Sequence, residues 1–288
     1  MQSSLAVDPL EERWLRKSPE SHMTSRSIPE PAERLFSRIF HSLTQRHADV
    51  TTFRKLAALG REAAAGALNR ENYRFALSLL TDPQYDEFFM DRKAAVAFFG
   101  GPEEMGSQMT SKQLRLFNAS VDAASLVFVH SALDAAISDL CRVTYIIDPV
   151  CWRPFVEGQK ITITEATSKD RETLWRDKLD AHVAALEKES LRKRTERIFA
   201  VCKPARGFDP IANFRYSTDS LERLDKLRQE IVHGSGPSEI PNCDTEIEYL
   251  VKSGLFFFAM VNNTFDVRVN PAYAIGLELP VSNAETTA

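Results

Sequence analysis

The sequence predicts an all-α protein, built as a helical bundle. Three observations predict it. Residues 103–147 repeat apolar side chains at three and four positions (Leu114, Phe117, Val121, Leu126, Leu133, Ile137, Leu140), the period of one helix face. Residues 244–265 are apolar nearly all round, through Ile247, Leu250, Leu255, Phe256, Phe257, Phe258 and Met260, the composition of a buried helix. The stretch with strand-like alternation, Ile161–Thr164, has no obvious strand partner, so only a small irregular or β insert is expected, near residues 158–165.

Taken in order, residues 1–30 are polar and broken by Pro9, Pro19 and Pro29, and are expected to form a disordered tail with a short helical piece near Glu11–Lys17. Residues 31–100 read as a helical N-terminal region. Leu35, Phe36, Ile39, Phe40 and Leu43 make one stripe. Val50, Phe53, Leu56 and Leu59 suggest a second helix, with Gly60 inside it or ending it. The Ala-rich segment after Gly60 has high helix propensity, and the pattern continues to Leu80, where Asp82-Pro83 stops it. Asp86–Phe99 reads as a short helix, closed by Gly100, Gly101 and Pro102.

Residues 103–270 form the second unit. Its long first helix ends at Asp148-Pro149, the insert follows, and residues 168–201 are expected to be helical throughout. Pro204, Gly207 and Pro210 mark a connection to a helix at about 218–234, and the apolar helix at 244–265 comes last. Residues 271–288 are read as a C-terminal tail with a strand-like start.

A hydrophobic content of 43% with 26% charged residues is that of an ordinary globular protein, and the net charge of −4 argues against a general nucleic-acid coat. Any RNA contact would need a local basic patch, and the candidate is Arg192, Lys193, Arg194 and Arg197. No run of eighteen apolar residues is present, so no membrane span is expected, and the first residues lack the pattern of a signal peptide. The four cysteines show no paired or zinc-like spacing. A cytoplasmic protein with reduced thiols, no metal site and no cofactor is expected.

The richest stretch for function is Leu221–Gly236. Leu221, Leu224, Leu227 and Ile231 fall on one helical face, Ser217, Thr218 and Asp219 can cap its start, and Gly234, Gly236 and Pro237 stop it. Near that stop stand Arg228 and His233. Arg followed five residues later by His and then Gly, at a helix end, resembles the signature of HEPN domains, all-helical modules many of which are ribonucleases. A second match, Arg176 to His182, lies mid-helix and away from any stop signal. The order long helix, insert, long helix, motif helix, buried helix is similar to the family's bundle over about residues 110–266.

The resemblance implies Arg228 and His233 as catalytic residues, with Asp134, the acidic residue of the long helix, and Gln229 in supporting positions, Asp134 either tuning His233 in a cleft or sitting on the polar side of its helix. The family often has Asn, Asp or His straight after the Arg, where this chain has Gln229. It also implies a homodimer, an RNA substrate, and an antitoxin or other regulatory protein as partner, in a defence or toxin–antitoxin setting. The residue types suit metal-independent cleavage. An imidazole that titrates near pH ~6.5 can take the proton of a ribose 2′-OH, and a planar guanidinium can meet a phosphate whose charge grows in the transition state. Five positions apart on a helix is about 140°, so the two side chains of one chain do not converge on a regular helix. The alternative is a non-catalytic HEPN-like module that binds a partner protein or a nucleotide.

Overall fold

The computed structural model describes residues 27–84, 91–156, 170–205, 207–234 and 239–274. Among these residues every regular element is helical. The insert expected near 158–165, the tail before residue 27 and the residues after 274 lie outside the described residues.

Helix α1 runs unbroken over Glu30–Thr81 for 52 residues. Pro31 in its first turn has no N–H to satisfy, and Glu30 and Glu33 complement the positive end of the helix. The sequence suggested a possible end at Gly60. The helix passes through it, because one glycine costs only about 1 kcal/mol and its Ala-rich flank restores the propensity. Helix α2, Arg92–Phe99, is capped by Asp91, which accepts hydrogen bonds from the Lys93 and Ala94 amides at 2.8 and 3.2 Å. Gly100 at φ 75° and Gly101 at φ 88° then turn the chain back.

Helix α3, Pro102–Ile147, is antiparallel to α1. Tyr73 meets Gly106, Asn72 meets Thr110, and Arg54 pairs with Asp122 at 2.6 Å. By length and composition α3 is apolar enough to cross a bilayer, which the absence of an eighteen-residue apolar run did not lead one to expect. Half of that apolar window is buried inside the protein, as befits a core helix. A 3-10 turn over Pro149–Phe155 follows, and its Trp152, fully buried, donates from Nε1 to Thr144 Oγ1 at 3.2 Å.

The segment expected to be one helix over 168–201 is two. Helix α4 spans Arg171–Ala185, a 3-10 turn takes Leu186–Lys188, and helix α5 spans Leu191–Cys202. Ser190 makes the break. It lies in extended conformation and its hydroxyl caps Lys193 N–H, an arrangement that competes with a continuous helix. Helix α6, Thr218–His233, starts at Ser217, whose side chain caps Ser220 N–H. Tyr249 of helix α7, Cys243–Phe265, clamps that start through its hydroxyl, which accepts from Ser217 N–H at 2.9 Å and donates to Ser217 C=O at 2.8 Å. Pro271–Ala274, read as the start of a strand-like tail, is instead a helical turn, α8, tied to α1 by Asn270 N–H donating to Ser37 Oγ at 2.9 Å.

The core sits where α7 packs against α1, α3 and α5. Phe258 stacks on Phe36 of α1 with centroids 3.9 Å apart, and Phe257 meets Tyr216 edge-on at 4.9 Å. The helical N-terminal region therefore shares one core with residues 103–270, through the first third of α1. That core stops at Val50 on α1 and Ala123 on α3. Beyond it, residues 51–81 and 102–122 continue as a two-helix arm. All four cysteines are free thiols, and burial pushes those of Cys141 and Cys202 up to about 12.

Candidate functional site

Helix α6 presents two different environments along its length. Leu221 and Leu224 are buried against the bundle and Leu227 and Ile231 pack on it in part, while Gln229, Glu230, Val232 and His233 are exposed. The helix stays regular to His233 and ends at Gly234 in extended conformation. Gly234 is needed there for space, since a Cβ would lie 2.3 Å from the Glu230 carbonyl oxygen. His233 is exposed at this end, in the last turn, where a cation is favoured by the helix carbonyls. Gln229 is exposed as well. Because no distortion precedes Gly234, Arg228 and His233 remain on different faces of α6 within one chain.

Arg228 is half-buried and belongs to a polar cluster where α6 crosses α3. Its Nε is buried and takes no hydrogen-bond partner. One turn earlier, Asp225 places Oδ1 3.3 Å from Nε2 of His130 on α3. His130 is 1% exposed, and neither ring nitrogen has a hydrogen bond of good geometry. Burial holds its pKa below the ordinary value. Asp225 and Asp134 oppose that effect, while the charges of Arg228 and Arg194 add to it. Burial and the two arginine charges thus favour the neutral imidazole, against the pull of the Asp225 carboxylate beside it.

Asp134, expected to support His233, does another job. It is bound by Arg194 of α5, which is only 4% exposed, through both its carboxylate and, at 3.1 Å, its backbone carbonyl. Arg194 also donates to Ser138 Oγ. This fastens α5 to α3 and corrects the reading of Arg194 as an RNA-facing residue. A buried guanidinium of this kind must be paired, because an isolated charge away from water is costly. The other basic residues of that stretch differ. Arg192 lies between Glu196 and Glu222, each at 2.9 Å, Arg197 pairs with Glu189 at 3.3 Å and sits over the Phe155 ring at 4.5 Å, and Lys193 is exposed. The basic run is therefore largely neutralised by neighbours brought in by folding.

Reading the sequence singled out Arg228, His233, Gln229 and Asp134. It gave no role to His130, as a surface or packed helix position, or to Asp225. His130 is buried, with Asp225 beside it and the charge of Arg228 within electrostatic reach. The signal available was the spacing of Asp225 and Arg228, three apart and hence on one face of α6, opposite a lone imidazole in the apolar run Leu126–Leu133. Among the described residues no three His, Cys, Asp or Glu side chains gather in a metal-binding arrangement. Comparison with known proteins finds no matching family model, no matching curated protein and no matching solved structure.

Proposed function

We propose that the chain is a metal-independent endoribonuclease of the HEPN type, working at the exposed end of α6 as a homodimer that carries two such ends. The observation that carries the reading is the solvent-exposed imidazole of His233, held at a glycine-terminated helix end by a helix whose Leu221 and Leu224 are buried in the bundle. In this reading His233 takes the proton of a ribose 2′-OH. The 2′-oxygen attacks the adjacent phosphorus, the bond to the 5′-oxygen breaks, and water protonates the leaving oxygen. The product is a 2′,3′-cyclic phosphate. Because the two side chains of one chain face apart, Arg228 of the partner subunit supplies positive charge near the phosphate as its negative charge grows.

A second reading, a non-catalytic helical module that binds a partner protein or nucleotide, is favoured by one observation. Arg192, Arg194 and Arg197 already have acidic partners, which leaves little free positive charge for an RNA backbone. The two readings separate in one assay. Purified chain is incubated with total RNA in EDTA, beside His233→Ala and Arg228→Ala. The nuclease reading expects cyclic-phosphate ends, reduced by about 10²-fold or more in His233→Ala, as befits loss of a general base. Cleavage that His233→Ala leaves unchanged would remove the site, and an RNA left intact by the wild type favours the module.

A further inference from the structure

The arm exposes more large apolar surface than any other part of the described chain. Phe53 is 47% exposed, Leu56 62% and Phe75 48%, all on α1 beyond the core. They are not scattered. Phe53, Leu56, Gly60, Ala63, Ala64, Ala67 and Phe75 follow one another at helical spacing on one side of α1, interrupted at Glu71 and Arg74. The seam that joins α1 to α3 uses a different side, through Arg54, Arg61, Ala65, Asn72 and Ala76. The seam mixes polar and apolar contacts: the Asn72 amide donates to Thr110 Oγ1 at 2.9 Å and to Gln113 Oε1 at 2.8 Å, beside buried Ala76 and Leu80, while Phe53, Leu56 and Phe75 take no part in it.

The stripe carries large residues at its ends and small ones between. Phe53 and Leu56 stand at one end, Phe75 at the other, and between them lie only Gly60, Ala63, Ala64 and Ala67. Ala64 is the midpoint between Phe53 and Phe75. A reversed copy of the same stripe places Phe53 beside the partner's Phe75 and brings the small residues of both copies face to face. Gly60 has open space where a side chain would be, which permits the close end of the usual ~8–10 Å helix separation.

We propose that α1 pairs with α1 of a second copy, antiparallel about a two-fold axis near Ala64, turning two hairpin arms into a four-helix bundle. The exposed Phe53, Leu56 and Phe75 drive the contact, and the small residues set how near the helices come. From Phe53 to Phe75 the stripe is about 33 Å long at 1.5 Å per residue. Two helices about 10 Å wide paired over that length, with the flanking α3 face that carries exposed Leu116 and Phe117, cover on the order of 800 Å² per copy, the size of a standard stable interface. Glu71 and Arg74, within the turn before Phe75, are the polar residues of the stripe at that end. No residue of α6 takes part, so this contact stands whether or not the chain cleaves RNA.

The test is the mass of the full chain in solution by light scattering after size exclusion, at micromolar concentration. The wild type is expected at twice the chain mass of 32.5 kDa, and Ala64→Glu, which puts two like charges at the axis while keeping a good helix former, at half that value. Helical circular dichroism equal to wild type confirms that the variant is folded. Independently, Ala64→Cys should give a covalent dimer on mild oxidation that wild type and Ser107→Cys on α3 do not. A wild type that runs as a single chain, leaving the stripe to some other protein, would overturn the proposal. So would a dimer that Ala64→Glu leaves intact.

Discussion

The base of the bundle and the arm are built from the same two helices and differ in what surrounds them. At the base, α1 and α3 are joined by α5, α6 and α7, and Phe36, Leu126, Leu133 and Phe257 lose essentially all contact with water. In the arm they have each other, the short α2 and a few polar contacts to the start of α7, such as Arg54 with Asp244 at 2.8 Å. There Ala76, Leu80 and Ala119 are buried, while Phe53, Leu56, Leu59 and Phe75 stay in solvent. Local propensity is equal to the task of making helix in both places. Burial is not, because two helices share one seam and a third layer is required to cover their remaining faces. The arm is thus helix specified without a core, and the base is helix specified by one.

The sharpest way to break that comparison is to remove one ring from each side. Phe257→Ala, which deletes a fully buried ring in edge contact with Phe199 and Tyr216, should lower stability by about 3–5 kcal/mol. Phe75→Ala, in the Ala64→Glu background where association does not enter, should stay within about 0.5 kcal/mol. Urea unfolding of both variants checks this, and equal losses would erase the distinction. A smaller effect is expected at the arm's own seam. A Cβ at Gly106 would stand 2.9 Å from both Cα and N of Tyr73, closer than packed atoms approach. Gly106→Leu should cost about 1–3 kcal/mol and speed amide exchange along 66–81 and 102–114. Amides of α7 should keep their protection, and a uniform rise across the chain would mean that arm and base unfold as one unit.

The smallest effect belongs to His130. Its folded pKa lies below the unfolded value near 6.5, so above that value both states are neutral there and the full stability is present. As pH falls below about 6.5 the unfolded chain takes up a proton that the folded chain refuses, and stability drops by at most about 1.4 kcal/mol per pH unit. Urea midpoints at about pH 7.5 and about pH 5.5 should differ more for wild type than for His130→Gln. His182, also lowered by burial and by Arg197, leaves a residual slope in the variant. A slope unchanged by the substitution would mean that His130 is not held neutral.

Much of the fold was legible in the sequence, and the errors are instructive. The apolar period of α3, the all-round hydrophobicity of α7 and the Gly/Pro stops after α2 and α6 are local signals, and each element stands where its signal put it. Gly60 was ambiguous because the cost of one glycine is comparable to the propensity of its neighbours. The break at Ser190 was missed because a single serine can cap a new helix or ride on a continuous one, and only Leu186, buried at the bend, decides between them. The candidate site was legible in part. The end of α6 could be read from Gly234, but whether Arg228 faced solvent or α3 could not.

By itself the sequence determined an all-helical chain, the positions of most helix ends, and the placing of His233 at a helix end. Those follow from periodicity, capping and the special backbone of glycine and proline, which act over a few residues. Only the tertiary structure decided that Asp134 holds Arg194, that His130 is buried beside Asp225 within reach of the Arg228 charge, and that the basic run at 192–197 is matched by Glu189, Glu196 and Glu222. Only it separated a stripe of α1 that is buried from one that is not. Charge pairing and burial depend on which helices meet, and that is fixed by packing between residues far apart in the chain.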